Sequence, residues 1–126
     1  MAARVFLAIA GLSGAVSVGL DAAARHLLTA DAYRLDLAAT SARYGLIHAA
    51  ALLGIGALLS RDGKPRCIAV AGWLFVVGLV LFCGSLDLMI AGAPHSLVAV
   101  TPWGGTALIA GWVALLVAAL VPRRAN

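Results

Sequence analysis

The chain has 126 residues, of which 63% are hydrophobic and only 11% are charged, and its formal net charge is +4. Soluble domains usually carry about 25% charged residues, so this composition excludes an ordinary soluble domain and predicts one small membrane domain, residues 1–126. The basic residues lie at the ends of apolar runs. That pattern is typical of membrane topology signals and not of nucleic-acid binding, so we expect no nucleic-acid partner.

The first apolar stretch follows Arg4 and covers residues 5–20. A basic start, a short apolar run and small residues after it also fit a secretory signal peptide. The alternative, which we favour, is a transmembrane helix at about 4–28 that carries Asp21, Arg25 and His26 to the membrane edge. Asp21 and Arg25 are four residues apart, the spacing of a helical ion pair.

Small residues line one face of this first helix. They are Gly11, Gly14, Ser17 and Gly19. Small residues let helices approach closely in lipid. The face therefore predicts close helix packing, and Gly14 in particular is expected to support a homo-oligomer.

The second helix is preceded by the longest polar connection of the chain, residues 29–43, which holds four charged residues. We expect this connection to touch the membrane interface. Helix two is predicted at about 41–59, with Tyr44 and His48 four residues apart on one face. A basic turn with Gly63 and Pro65, residues 60–66, ends it.

The third and fourth helices are predicted at about 67–91 and 101–121. Helix three holds the apolar run 68–86, which is followed by Asp87; about 20 such residues cross the roughly 30 Å hydrocarbon core. Residues 92–100 are expected to form a loop, and Thr101 is expected to cap helix four, with Pro102 at its first helical position. The sequence thus predicts an all-α, antiparallel bundle of four transmembrane helices.

The basic residues also predict the orientation of the chain. Six of them fall on the side of the termini, namely Arg4, Arg61, Lys64, Arg66, Arg123 and Arg124, and three fall on the other, namely Arg25, Arg34 and Arg43. By the positive-inside rule, both termini are expected to be cytoplasmic, in a multi-pass protein of the cell (inner or plasma) membrane. The polar side chains that could take part in binding or chemistry are then expected to cluster towards the outer leaflet: Asp21, Arg25, His26, Tyr44, His48, Asp87 and Thr101.

His48 and Asp87 are the most informative members of this candidate polar cluster. His48 lies five residues in from Arg43 and Asp87 lies five residues in from Gly92, roughly 7–8 Å below the outer boundary in each case. We therefore expect matched depth and a contact between them, with Tyr44 and Arg25 nearby. Ionisable groups inside a membrane are costly and often functional, but a purely structural pair is the simpler alternative. No spacing within one helix supports a metal site built from the histidines and Asp87, so none is predicted.

Three segments resemble a known family: Ala42-Arg43-Tyr44 with His48, residues 71–86 with the sequence Phe82-Cys83-Gly84-Ser85-Leu86, and Thr101-Pro102-Trp103-Gly104-Gly105 with Gly111-Trp112. They are similar to the small four-helix membrane proteins of domain-of-unknown-function family 423, the YgdD/YwdK-like proteins. The resemblance implies four helices and an uncleaved first helix, and it supplies no activity. The chain departs from the family in helix one, where only His26 matches a Gly-Ala-Phe-Gly-Ala-His run, at Asp87, where Tyr is usual, and at Cys83, where Ser is common.

We expect a non-enzymatic membrane protein that acts as a structural, assembly or lipid-contact component. One alternative is a small oligomeric transporter or channel unit that uses the polar cluster, and another is a cofactor- or quinone-binding membrane subunit built on His48. No Ser, Cys or carboxylate pair has a recognisable catalytic spacing, so no catalytic residue and no cofactor are predicted. Membrane lipids are the expected partners.

Overall fold

The computed structural model describes residues 1–60 and 66–120. In these ranges the chain forms four long helices, α1 (Ala2–Leu27), α2 (Ala32–Leu59), α3 (Arg66–Ile90) and α4 (Thr101–Leu120), and a 3-10 helix, His95–Ala99, that leads into α4. Each long helix is apolar and long enough to cross a membrane. The all-α four-helix membrane architecture is confirmed. Most of the predicted basic turn at 60–66 and the predicted end of helix four at 121 lie outside the described residues.

The start of α2 corrects the sequence prediction. Most of the supposed polar connection is helical, because α2 begins at Ala32, nine residues before the predicted boundary at 41. Asp31 is its N-cap, and the Asp31 carboxylate accepts a hydrogen bond from the Arg34 backbone N–H at 3.0 Å. This is the interaction that makes Asp favourable before a first helical turn. The alternating charges therefore lie on the first turns of a helix, and the α1–α2 connection is short.

The end of α3 is a Schellman motif centred on Gly92. Its φ of 98° is in the left-handed region that glycine adopts without strain. The Gly92 N–H donates to Met89 O at 3.1 Å and the Ala93 N–H donates to Leu88 O at 2.9 Å, which satisfies carbonyls that the helix end would leave unpaired. The following segment, predicted as a loop, contains the 3-10 helix instead.

Thr101 does not have the capping role that the sequence predicted. Its hydroxyl is hydrogen-bonded to the Ser85 hydroxyl at 2.7 Å, across the α3–α4 interface. The first turn of α4 is closed by Val100, whose carbonyl accepts from Trp103 N at 3.1 Å and Gly104 N at 3.3 Å. Thr101 is therefore the first helical residue and joins α4 to α3, and Pro102 is at the second helical position and not at the first.

Consecutive helices pack antiparallel, and small residues set their separation. In the α1–α2 pair, Ser13 Oγ donates to Gly45 O at 3.3 Å, and a methyl group at Gly45 would overlap the Ser17 hydroxyl. Gly14 faces the same helix, and a methyl group added at Gly14 would lie 4.0 Å from Ala49 Cβ. Part of the small-residue face therefore packs inside the chain, whereas a methyl group at Gly11 would meet nothing within 4 Å. Association of two copies through Gly14 stays a prediction.

The α3–α4 pair is the other close interface. Gly104 approaches the backbone of Phe82, and Gly111 approaches the Phe75 ring. The apolar core lies between these helices and the facing sides of α1 and α2, and its fully buried large side chains are Phe6, Leu52, Ile55 and Phe75. The helices thus form two tight pairs, α1 with α2 and α3 with α4, joined mainly through α2 and α3.

Helices α1 and α3 approach each other mainly near their two ends. At one end Phe6 packs on Gly72, and its ring centroid lies 5.3 Å from that of Trp73 in an edge-to-face arrangement. At the other end Ala24 of α1 belongs to the same buried cluster as Ala38 of α2 and Ile90 of α3. Between the two ends α1 follows α2, through the Ser13–Gly45 hydrogen bond. A groove therefore opens between α1 and α3, with α2 as its floor.

Candidate functional site: a groove and its polar end

The seven residues of the sequence-derived polar cluster fall into four separate groups. Asp21, Arg25 and His26 lie near the end of α1. Tyr44 and His48 stack on each other, with ring centroids 6.2 Å apart. Asp87 pairs with Ser41, and Thr101 pairs with Ser85. The structure therefore divides the residues that the sequence predicted as one cluster.

His48 is 3% exposed and is enclosed by aromatic rings. The ring centroids of Phe75 and Trp112 lie 5.1 and 5.9 Å from that of His48. The Trp112 indole N–H donates to His48 Nε2 at 3.1 Å, and His48 Nδ1 lies 2.8 Å from Tyr44 O. Because an indole nitrogen only donates, Nε2 is the acceptor, and Nδ1 carries the hydrogen that is donated to the carbonyl. His48 is therefore a neutral imidazole that links α2 to α4.

Asp87 has a different environment and a different partner. Its Oδ1 accepts a hydrogen bond from Ser41 Oγ at 2.5 Å, and Ser41 itself is 2% exposed. The Cys83 thiol, one turn earlier on α3, donates to Ser41 O at 3.5 Å. The predicted contact between His48 and Asp87 is therefore wrong, since both nitrogens of His48 have other partners.

The wrong contact follows from the wrong helix boundary. The predicted depth of His48 was counted from Arg43, but α2 begins at Ala32 and extends to Leu59. His48 thus lies near the middle of its helix, seven residues beyond Ser41, which is about 10 Å along the axis. Asp87, level with Ser41, is only three residues from the end of α3 at Ile90. The two side chains occupy different depths of the membrane.

The charged end of α1 contains the predicted ion pair. Arg25 Nε donates to Asp21 Oδ2 at 3.0 Å, so the i, i+4 pairing is confirmed, and Arg25 lies away from His48 and Asp87. His26 and Arg43 line the same surface depression as this pair, between α1 and α2. The exposed ion pair contributes little stability, and the depression is a charged membrane edge.

The third histidine, His95, lies apart from His26 and His48. Its Nε2 is 3.5 Å from the Tyr33 hydroxyl. Within residues 1–60 and 66–120, no three His, Cys or Asp side chains are grouped closely enough to hold a metal ion. Each histidine therefore has its own set of neighbours.

The α1–α3 groove brings apolar and polar side chains together. It has a volume of about 320 Å³. Its walls are aliphatic, with Leu12 and Val16 on α1 and Val76 and Val80 on α3. Gly45 and Ser41 lie on the α2 side, and Asp87 lies at the end near the α3 terminus. The groove is thus an apolar trough with one carboxylate at its end.

The sequence predicted several of the polar residues but not the residues with which they form hydrogen bonds. Ser41, Trp112 and Arg34 were not among the candidate residues, although each makes an inter-helix hydrogen bond; Arg34 Nη2 donates to Ile90 O. One signal was available for Trp112: an indole N–H in the middle of a span needs an acceptor, and few polar acceptors lie at that depth. Ser41 carried no comparable signal.

Comparisons with known proteins agree with this architecture. The family model described as "Protein of unknown function (DUF423)" matches residues 20–105. The chain is 33% identical over 120 residues to the UPF0382 membrane protein YwdK of Bacillus subtilis, covering 93% of this chain and 97% of that protein. It is 34% identical over 112 residues to a UPF0382 membrane protein of Haemophilus influenzae, covering 87% and 89%.

A third relative is the UPF0382 inner membrane protein YgdD of Escherichia coli K12, 30% identical over 132 residues, with 98% of this chain and 95% of that protein covered. No solved structure matches the chain significantly. The match spans all four helices, and the relatives are named as membrane or inner membrane proteins. The chain therefore belongs to the DUF423 family of membrane proteins.

Proposed function

We propose that this protein is a non-enzymatic lipid-contact component of the cell membrane, and that the α1–α3 groove holds one acyl chain. The groove itself is the observation that supports this proposal. It is open along its length, its walls are aliphatic, and it extends along α3 from Val76 to Asp87. That is eleven residues, or about 16 Å, close to the roughly 15 Å of hydrocarbon in one leaflet of a 30 Å core.

We expect an acyl chain to pack more closely in the groove than in bulk lipid. Transfer of an acyl chain from lipid to a protein groove gains little from the hydrophobic effect, because lipid tails are themselves apolar. What distinguishes the groove is close van der Waals contact on three sides, from α1, α2 and α3. The α2 side of the groove is formed by the small residues Ser41 and Gly45. A chain held there would cover Leu12 and Val80, which are each 67% exposed.

The cofactor-binding alternative is less well supported. It required His48 to offer a free nitrogen, but Nε2 accepts from Trp112 and Nδ1 is paired with Tyr44 O. A ligand at His48 would have to displace the indole N–H and leave it without an acceptor in an apolar surrounding, which costs about 1–3 kcal/mol. His48 also does not line the α1–α3 groove.

Filling the groove is expected to expel the lipid. We expect Val80→Trp to reduce the amount of phospholipid that stays bound through purification in mild detergent by roughly tenfold, equivalent to about 1.4 kcal/mol. Native mass spectrometry of the purified protein measures it. Ile109→Trp is the matched control, because Ile109 is 66% exposed on α4 and lies outside the groove. Equal lipid retention by the two variants would contradict the proposal.

We further propose that both termini are cytoplasmic, so that the Asp87 end of the groove belongs to the outer leaflet. The support is the distribution of basic residues along the chain. With Cys67 and Cys83 replaced by alanine, a membrane-impermeant maleimide is expected to label Ser96→Cys in intact cells and Ala2→Cys only after permeabilisation. The opposite pattern would reverse the orientation and assign the groove to the inner leaflet.

A further inference from the structure

Asp87 combines two properties that apolar packing alone does not explain. Its carboxylate lies in a membrane-spanning helix and lines the groove. Oδ1 accepts from Ser41, whereas Oδ2 has no hydrogen-bond partner among residues 1–60 and 66–120. Asp87 is half-buried, and a carboxylate oxygen without a donor is energetically costly in an apolar surrounding. The groove therefore has an unmet requirement for a hydrogen-bond donor at this end.

The arginines on the same side of the membrane do not supply this donor. Arg25 is paired with Asp21, and Arg43 lines the depression between α1 and α2. Arg34 lies two turns from Ser41 on the same face of α2, but it donates to Ile90 O at the end of α3 and makes no ion pair with Asp87. Within the described ranges, Asp87 is thus left without a protein cation, although it lies only about 5 Å from the end of its helix.

We infer that the lipid held in the groove carries a primary ammonium headgroup, as in a phosphatidylethanolamine, and that this ammonium donates to Asp87. The inference rests on the proposed function, since the acyl chain of the same molecule occupies the groove. Asp87 lies three residues, about 5 Å, from the end of its membrane-spanning helix, and the groove extends from there along α3 for about 16 Å, to Val76. The charges are complementary, and charge-assisted hydrogen bonds are among the strongest in proteins.

This arrangement discriminates between headgroups of the same charge. A primary ammonium has three N–H donors, whereas the trimethylated ammonium of phosphatidylcholine has none. Phosphatidylcholine would leave Oδ2 without a hydrogen bond and would keep its positive charge further from the carboxylate. Loss of a hydrogen bond to a charged group is a large effect, so the preference for the primary ammonium is expected to be roughly tenfold or more.

The test uses the full chain reconstituted with equal amounts of phosphatidylethanolamine and phosphatidylcholine of identical acyl chains, and native mass spectrometry of the retained lipid. The wild-type protein is expected to retain the ethanolamine lipid in roughly tenfold excess. Asp87→Asn is expected to bring the ratio near one while lipid is still bound. Asp21→Asn is the control and is expected to keep the preference, because Asp21 does not line this groove.

A second measurement needs only the wild-type protein and so does not depend on whether the Asp87 variant folds. Retention is compared for the ethanolamine lipid and its mono-, di- and trimethylated forms. The largest fall is expected at the last methylation, which removes the final N–H. If lipid is retained without any headgroup preference, this inference is overturned and the acyl-chain groove stands. If the wild-type protein retains no lipid, both proposals are overturned.

Discussion

A single methyl group at residue 104 is expected to separate α3 from α4. In Gly104→Ala the added Cβ would overlap the backbone nitrogen of Phe82 and lie 2.7 Å from its Cα and 2.8 Å from its Cβ. Backbone atoms of a helix have no rotamer by which to move aside, so the helices themselves must shift. Overpacking typically costs 1–3 kcal/mol, and we expect about 3 kcal/mol here because the obstacle is main chain.

The neighbouring glycine supplies a matched control. A methyl at Gly105 would meet only the Phe82 ring, at 3.7 Å, which is ordinary contact. Gly105→Ala is therefore expected to be neutral or stabilising by up to about 1 kcal/mol, the helix-propensity difference between the two residues. Denaturant-induced unfolding of both variants in the same detergent, followed by circular dichroism, measures the difference. Two equally stable variants would show that the α3–α4 interface is looser than these distances imply.

Removing the His48 imidazole is expected to be comparably disruptive. His48→Leu leaves the Trp112 indole N–H without its acceptor, which costs about 1–3 kcal/mol, and it removes a ring packed against Phe75. We therefore expect the free energy of unfolding to fall by about 2–4 kcal/mol. Trp112→Phe keeps an aromatic ring but removes the N–H.

A double-mutant cycle separates the hydrogen bond from the packing. His48→Leu and Trp112→Phe are expected to be coupled by about 0.6 kcal/mol and by no more than about 1.7 kcal/mol, the average and the maximum found for inter-helix hydrogen bonds by such cycles. The matched control is the cycle of His48→Leu with Asp87→Leu. It is expected to be additive within about 0.5 kcal/mol, because these residues lie about 10 Å apart in depth and share no partner. Coupling in the control cycle but not in the first would contradict the assignment of partners.

The sequence was sufficient to predict the four spans, because apolar length and helix punctuation are local properties. The Asp21–Arg25 pair was predicted for the same reason, as it depends only on spacing along one helix. The start of α2 was missed, since charges on the first turns of a helix resemble those of a polar connection, although Asp31 is of a residue type favoured at the N-cap. The capping residue Asp31 was therefore a better indicator of the helix start than the charged residues that follow it.

The hydrogen-bond partners were beyond the sequence for a physical reason. Whether Asp87 meets Ser41 or His48 depends on the rotation of α3 about its axis and on its register against α2. Both quantities depend on how closely α4 packs on α3, which glycines such as Gly78 and Gly104 allow. The partner of Asp87 is thus set partly by a helix that carries neither Ser41 nor His48. Each polar residue was identifiable by its cost in lipid, but its partner was a property of the assembled bundle.

The pairing of helices has a consequence for assembly during synthesis. Both tight interfaces join helices that are neighbours in the chain, so each helical hairpin can form once its second helix is inserted, without closing a long loop. The Ser41–Asp87 and His48–Trp112 bonds cross from the first hairpin to the second. Hairpins docked one turn out of alignment would leave a carboxylate and an imidazole unsatisfied in hydrocarbon. The two bonds therefore favour the native alignment of the two hairpins over misaligned docking.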